Sequence, residues 1–210
     1  ALAIATNNAA LNAAASASSV NRDMETSMAR LSSGKRINSA SDDAAGVAIS
    51  SRLSAEIRGT EQAIRNSLDG QALIDTAEGA HKEIENILQR MREVAVQSNN
   101  DTNNAQDRAN LQAEMNAMAT EIDRIAGTTT WAGTNLMDAA TSNFSFQVGS
   151  ATGAKNQIAV SIKTMNAAGL TVEAADLDID DTSAKRLTAI VNVDAAIKAV
   201  NDQRSALGAV

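Results

Sequence analysis

Neither cysteine nor proline occurs in the 210 residues. Without cysteine there is no disulfide framework, no thiolate metal site and no thiol redox chemistry. Without proline every residue keeps its amide donor, so nothing forbids long uninterrupted helices. Tyrosine is missing too, and Trp131, Phe144 and Phe146 are the only aromatics. A compact globule normally buries several large rings. This chain has to bury alanine, leucine, isoleucine and methionine along thin seams instead, which favours long packed helices. Positive charge is scarce: 18 Lys and Arg against 25 Asp and Glu leave a formal charge of −7. No basic cluster exceeds the pair Lys35–Arg36, so a nucleic-acid partner is not expected. No apolar run approaches a membrane span, and membrane insertion is not expected either. Residues 1–21 carry no basic n-region and no leucine-rich stretch, so a Sec-type signal peptide is not apparent.

What the chain does have is periodic apolar spacing. Before Val20 the only large apolar residues are Leu2, Ile4 and Leu11. Alanine favours helix, but so weak a stripe does not pack alone; residues 3–32 are expected to be helical only where a partner covers them. Met24, Met28 and Leu31 add a short seam. Residues 43–98 read as one very long helix, with Leu53, Ile57, Thr60, Ile64 and Leu68 beginning a seam that Ala77, Ile84, Leu88, Met91 and Val94 resume. After a polar turn at 98–104, a second helix at about 105–127 carries Leu111, Met115, Met118, Ile122 and Ile125 at heptad spacing. Two such helices joined by a short turn predict an αα-hairpin. Residues 127–138 read as loop, while 143–149 and 156–165 alternate like strands of a small hairpin. A last helix from about 183 carries Leu187, Ile190, Ile197, Val200 and Leu207. The expected fold class is mainly α: a long coiled-coil-like helical bundle, an αα-hairpin plus a returning helix, with a small β-hairpin element.

No stretch carries catalytic spacing. Asp176, Asp178, Asp180 and Asp181 begin like a calcium loop, but Asp181 stands at the glycine position and Leu187 at the glutamate position. They read as acids before a helix, where they suit its dipole. His81 has no partners at metal-ligand or catalytic spacing and is expected to be a partly exposed helix residue. Glu83, Glu85, Arg90, Arg92 and Glu93 read as a solvated face with i,i+3 or i,i+4 pairing; a partner-binding face fits the same spacing. With no phosphate loop, nucleophile elbow or zinc motif, neither enzymatic activity nor a cofactor is expected. The stretch LSSGKRINSASDDAAGVAIS (31–50) lacks the upstream glycine of a P-loop and reads as a joint between helices. Gly34 ends the first helix as a left-handed cap. Ser39 with Asp42 signals the start of the next, and Asp42 and Asp43 favour its positive end. Arg36 is placed to pair with these acids, in its own chain or in a neighbour.

Long strings then carry a resemblance. RLSSGKRINSASDDAAGVAISSRLSAEIRG (30–59) resembles the amino-terminal signature of bacterial flagellin, the flagellar filament subunit. The likeness continues through NSLDGQALIDTAEGA (66–80), ILQRMREVAVQSNND (87–101), LQAEMNAMATEIDRIAGTTTW (111–131) and FQVG (146–149), and returns more loosely in VDAAIKAVNDQRSALGAV (193–210). It implies a structural subunit that self-assembles for swimming motility, exported by the flagellar type III apparatus and found secreted, in the bacterial flagellum at the cell surface. It implies that residues 1–43 are a core helix and spoke, with Gly34, Arg36, Ser39, Asp42 and Asp43 as spoke or intersubunit residues. Residues 44–138 would be the long helical-hairpin part of the rod domain and 139–183 a short β-hairpin and loop region without large outer domains. Residues 184–210 would be the returning helix. The family continues past LGAV into a second core-lining helix, so assembly is expected to need that helix. Implied partners are further copies of the chain, the flagellar cap and hook-junction proteins, and the export apparatus and chaperone. In recognised members, the surface matching Gln89, Arg90, Glu93 and Glu114 is read by the flagellin-sensing Toll-like receptor, and the same face serves subunit packing. The alternatives are a hook–filament junction protein or a cell-surface flagellin relative acting as an adhesin or glycan-binding protein.

Overall fold

The computed structural model describes residues 7–138 and 141–210. Leu2, Ile4 and the first residues of the hairpin region expected from 139 lie outside the described residues. The chain divides into two compact units, Ala1–Arg58 and Gly59–Val210.

The first unit holds helix α1 (Asn8–Ser33) and the beginning of α2 (Ala44–Ser98). Asn7 caps α1: its side-chain oxygen accepts from the amides of Ala9 and Ala10 at 3.1 and 3.3 Å, satisfying donors that have no partner within the helix. Gly34, at φ 66°, closes the other end in the left-handed conformation. No residue of α1 is buried, and Leu11, Val20, Met24, Met28 and Leu31 are between 57% and 81% exposed. Ile49, Leu53 and Ile57 of α2 are exposed as well. The apolar stripes expected here exist as helix faces, but among the described residues nothing covers them.

The second unit contains the rest of α2, α3 (Ala105–Thr128), α4 (Ser183–Gly208) and two small antiparallel sheets around one apolar core. In α2 the buried positions are Ala63, Gly70, Leu73, Ala77, His81, Ile84, Leu88, Met91, Val94, Ala95 and Ser98, mostly three or four residues apart. Ile64 and Leu68, expected on the seam, are 57% and 60% exposed. Gly70 replaces a large residue there because the Phe146 ring lies against it; a Cβ at this position would come within 3.2 Å of that ring. In α3, Met115 and Ile122 are buried as expected and Ala119 and Ala126 join them, while Leu111, Met118 and Ile125 pack at the margin. The buried face of α4 is Arg186, Ala189, Val193, Ala196, Val200, Gln203 and Leu207. Leu187 stands outside at 51% exposure. The expected seam of Ala77, Ile84, Leu88, Met91 and Val94 is buried throughout, as are Val200 and Leu207 of α4, with Ile190 and Ile197 at the margin; alanines and a few polar residues fill the positions between.

A reciprocal cap opens α3: the Asp107 amide donates to Asn104 Oδ1 at 2.9 Å and the Asn104 amide to Asp107 Oδ2 at 3.0 Å. Residues 127–138, expected to be loop, contain a minimal hairpin of β1 (Thr130–Trp131) and β2 (Thr134–Asn135). Its two-residue turn, Ala132 at φ 48° and Gly133 at φ 82°, has the left-handed pair that matches strand twist. Strands β3 (Ser142–Gln147) and β4 (Gln157–Ile162) pair with Phe144 opposite Val160 and Phe146 opposite Ile158. From 163 to 182 the chain forms neither helix nor strand, yet Met165, Ala167, Leu170, Val172, Leu177 and Ile179 are all buried. This strap is fastened by side chains: the Ala167 amide donates to Asp123 Oδ1 and the Ile179 amide to Gln112 Oε1, both at 2.7 Å. The alternation around Asp176, Asp178 and Asp180 therefore has a packing cause, since Leu177 and Ile179 between them are the buried partners.

Candidate functional site

The joint at 34–43 is built by two neighbouring carboxylates facing opposite ways. Asp42 Oδ2 accepts from the amides of Asn38 and Ser39, both at 3.0 Å, and from Ser39 Oγ at 3.3 Å. The Asn38 amide bond, then that of Ser39, holds this carboxyl below its usual range. Asp43 Oδ1 instead accepts from the Gly46 amide at 2.8 Å and caps α2. The cap expected from Ser39 is thus supplied by Asp43, because Ser39 is turned into the joint's own hydrogen bonds. Asn38 Nδ2 donates to the Ala29 carbonyl at 3.1 Å, tying the joint back onto α1. Arg36 makes no ion pair with Asp42 or Asp43, although it lines a recess of about 170 Å³ with them, Arg30 and Ile37. Among the described residues no carboxylate pairs with its guanidinium.

A second constellation lies across α2 and α3. Arg90 donates from Nε and Nη2 to Glu114 Oε1 at 3.1 and 2.9 Å, and from Nη1 to Glu93 Oε2 at 2.9 Å. These bonds, Glu114's first, push the guanidinium pKa up. All three side chains remain substantially exposed, so the cluster is an ordered charged face rather than a buried lock. Gln89 does not join it; its amide donates to Glu85 at 3.4 Å. The structure therefore brings together three of the four residues singled out for this face.

The sequence did not point to Arg204, and it misplaced His81. Arg204 of α4 donates from Nε and Nη2 to Glu78 Oε1 at 2.8 and 2.7 Å and reaches Glu85 through Nη1, bracing α4 against α2. Its spacing in sequence, far from both acids, gave no local signal. His81 is wholly buried, not partly exposed, and neither ring nitrogen has a hydrogen-bond partner. Its signal was present: it sits four residues after Ala77 and three before Ile84, on the seam. Burial pushes its pKa down to about 4; Glu78 opposes the shift and Arg204 adds to it. Elsewhere Lys185 Nζ bonds Asp178 and Asp181 at 2.6 and 2.5 Å, so these acids are held by a lysine. Among the described residues no group of three or more His, Asp or Glu side chains has metal-binding geometry, and no helix is long and apolar enough to cross a membrane.

Comparisons with known proteins agree on one family. Residues 4–142 match the family described as "Bacterial flagellin N-terminal helical region". A flagellin of Halalkalibacterium halodurans is 45% identical over 185 residues, covering 88% of this chain and 67% of that protein. Polar flagellin F of Vibrio parahaemolyticus is 46% identical over 170 residues, covering 81% of this chain but only 45% of its own length. The chain thus spans between about half and two thirds of these relatives. The crystal structure of Bacillus cereus flagellin superposes with a TM-score of 0.56 at 32% identity, covering 69% of this chain and 81% of the other.

The buried imidazole gives acid sensitivity a sign. Folded, His81 titrates near 4; unfolded, near 6.5. Between those values the unfolded chain holds more protons, so stability falls as pH drops from 6.5 to 4, by up to about 3 kcal/mol. Urea unfolding at several pH values is expected to show this slope, and His81→Leu to flatten it; an unchanged slope in the variant would assign the acid loss elsewhere.

Proposed function

The chain belongs to the bacterial flagellin family, and from that membership we propose that it is a structural subunit that self-assembles into the flagellar filament outside the cell. The observation that carries the reading is α1: 26 residues with none buried and a stripe of Val20, Met24, Met28 and Leu31 along one side. An unmet apolar face of this kind favours a partner. Identical subunits joined through non-identical patches extend into a helical array instead of closing. In this reading residues 1–43 are core helix and spoke, 44–138 the hairpin part of a rod, 139–183 its β-hairpin and strap, and 184–210 the returning helix. The available Arg36 guanidinium, beside Asp42 and Asp43, supplies a polar contact between neighbours at the spoke.

The ordered face of Arg90, Glu93 and Glu114, flanked by Gln89, is a second contact surface. Subunit packing uses it in the filament, and the flagellin-sensing Toll-like receptor reads it on the free subunit. Support comes from geometry: a guanidinium fixed by two carboxylates is a pre-organised polar patch. Replacing Glu114 with alanine is expected to lower receptor signalling several-fold in reporter cells while the melting midpoint stays unchanged; full signalling would remove the receptor from this account.

Glutamine keeps helix propensity while removing apolarity, so it separates the stripe from the helix. Met24→Gln, Met28→Gln and Leu31→Gln together, carried on the protein's gene in a flagellin-deleted motile bacterium, are expected to cut filament yield at least about tenfold. Electron micrographs showing normal filaments would refute the assembly role of α1.

A further inference from the structure

The seven methionines divide sharply by burial. Met91, Met115, Met137 and Met165 are fully buried and Met118 is partly buried, whereas Met24 and Met28 are 57% and 63% exposed. The exposed pair is one helical turn apart on α1, on the side that carries Val20 and Leu31. With no cysteine in the chain, no thiol competes with these thioethers for an oxidant. The one histidine is buried. Exposed, oxidisable sulfur is therefore concentrated on the stripe that has no partner within its own unit.

We propose that Met24 and Met28 form an oxidation site that controls assembly, taking oxidants of the peroxide class. The inference rests on the assembly reading of α1. In the reaction the thioether sulfur attacks one oxygen of hydrogen peroxide. An S–O bond forms as the O–O bond breaks; sulfur loses two electrons, the peroxide gains them, and water leaves. No protein base is required, so access decides which sulfur reacts. The product sulfoxide is polar and strongly hydrogen-bonding, and covering it with apolar surface leaves its oxygen unsatisfied. Because the site lies outside any core, oxidation leaves the fold of α2, α3 and α4 untouched and changes only what a neighbour meets. Methionine sulfoxide reductases of both stereospecificities reverse the change.

The test treats the purified protein with dilute hydrogen peroxide, maps sulfoxide by peptide mass spectrometry and follows growth on filament seeds. Met24 and Met28 are expected to oxidise at least about tenfold faster than the four buried methionines, as their exposure dictates. Seeded growth is expected to fall in step and to recover after treatment with both reductases. The M24L/M28L variant is expected to grow on seeds before and after peroxide; M24I/M28I serves if the leucine pair grows poorly. If the untreated protein, expressed from its whole gene with whatever follows Val210, does not add to seeds, the filament reading falls and takes this inference with it. If it adds, but the sulfoxide form adds equally well or the leucine and isoleucine variants stay peroxide-sensitive, the inference alone is overturned.

Discussion

The 59–210 unit depends on how little alanine has to offer. Ala63, Ala77, Ala95, Ala119, Ala126, Ala189 and Ala196 all occupy the buried helix faces, and each brings about one methyl group, worth roughly 1 kcal/mol when buried. Such seams do not enclose a core unaided. Leu73, Ile84, Leu88, Met91, Met115 and Ile122 add bulk on the helices, and the rest arrives from outside them: Leu136 and Met137 after the small hairpin, Val160 and Ile162 on β4, and Met165, Leu170, Val172, Leu177 and Ile179 on the strap. A strap without regular structure needs its amides satisfied some other way, and Gln112 and Asp123 of α3 supply that. Arg204 and its two glutamates then brace α4 against α2.

The same economy explains the outer surface. Large aliphatics that the core does not use stand in solvent: Ile64, Leu68, Leu187 and Val191 in this unit, and every large apolar residue of α1 in the other. A chain built only for its own stability would be expected to place them inside. A chain built to be covered by copies of itself leaves them out, on helices whose local caps already hold their shape. In the proposed filament the pattern joins composition to function: few rings, many alanines, and surplus apolar faces left for neighbours to cover.

Helix existence was legible from spacing, and so was the β3–β4 pair, because each has its own period and its own turn residues. Which face is inside was legible in α3, where Met115 and Ile122 are buried, in the second half of α2, where Ala77, Ile84, Leu88, Met91 and Val94 all are, and in much of α4, where Val200 and Leu207 are. The rule that large means buried fails in the first half of α2, at Ile64 and Leu68, and at Leu187 near the start of α4, while the polar His81 sits on the seam. The β1–β2 hairpin escaped because its turn begins with Ala132 in a conformation that residue seldom adopts. The acids of the joint were recognised as capping chemistry, but sequence alone did not tell that Asp42 faces the joint and Asp43 the helix. Arg204 was out of reach altogether, since its partners Glu78 and Glu85 lie on a helix distant in sequence.

The central claim is that α1 gains its cover from other subunits. Amide hydrogen exchange across Asn8–Ser33, compared between the free protein and the assembled filament, tests it most directly. The account predicts fast exchange along the whole helix in the free protein, because nothing buries it, and strong slowing around Val20, Met24, Met28 and Leu31 in the filament. Exchange that is equally fast in both states would contradict it.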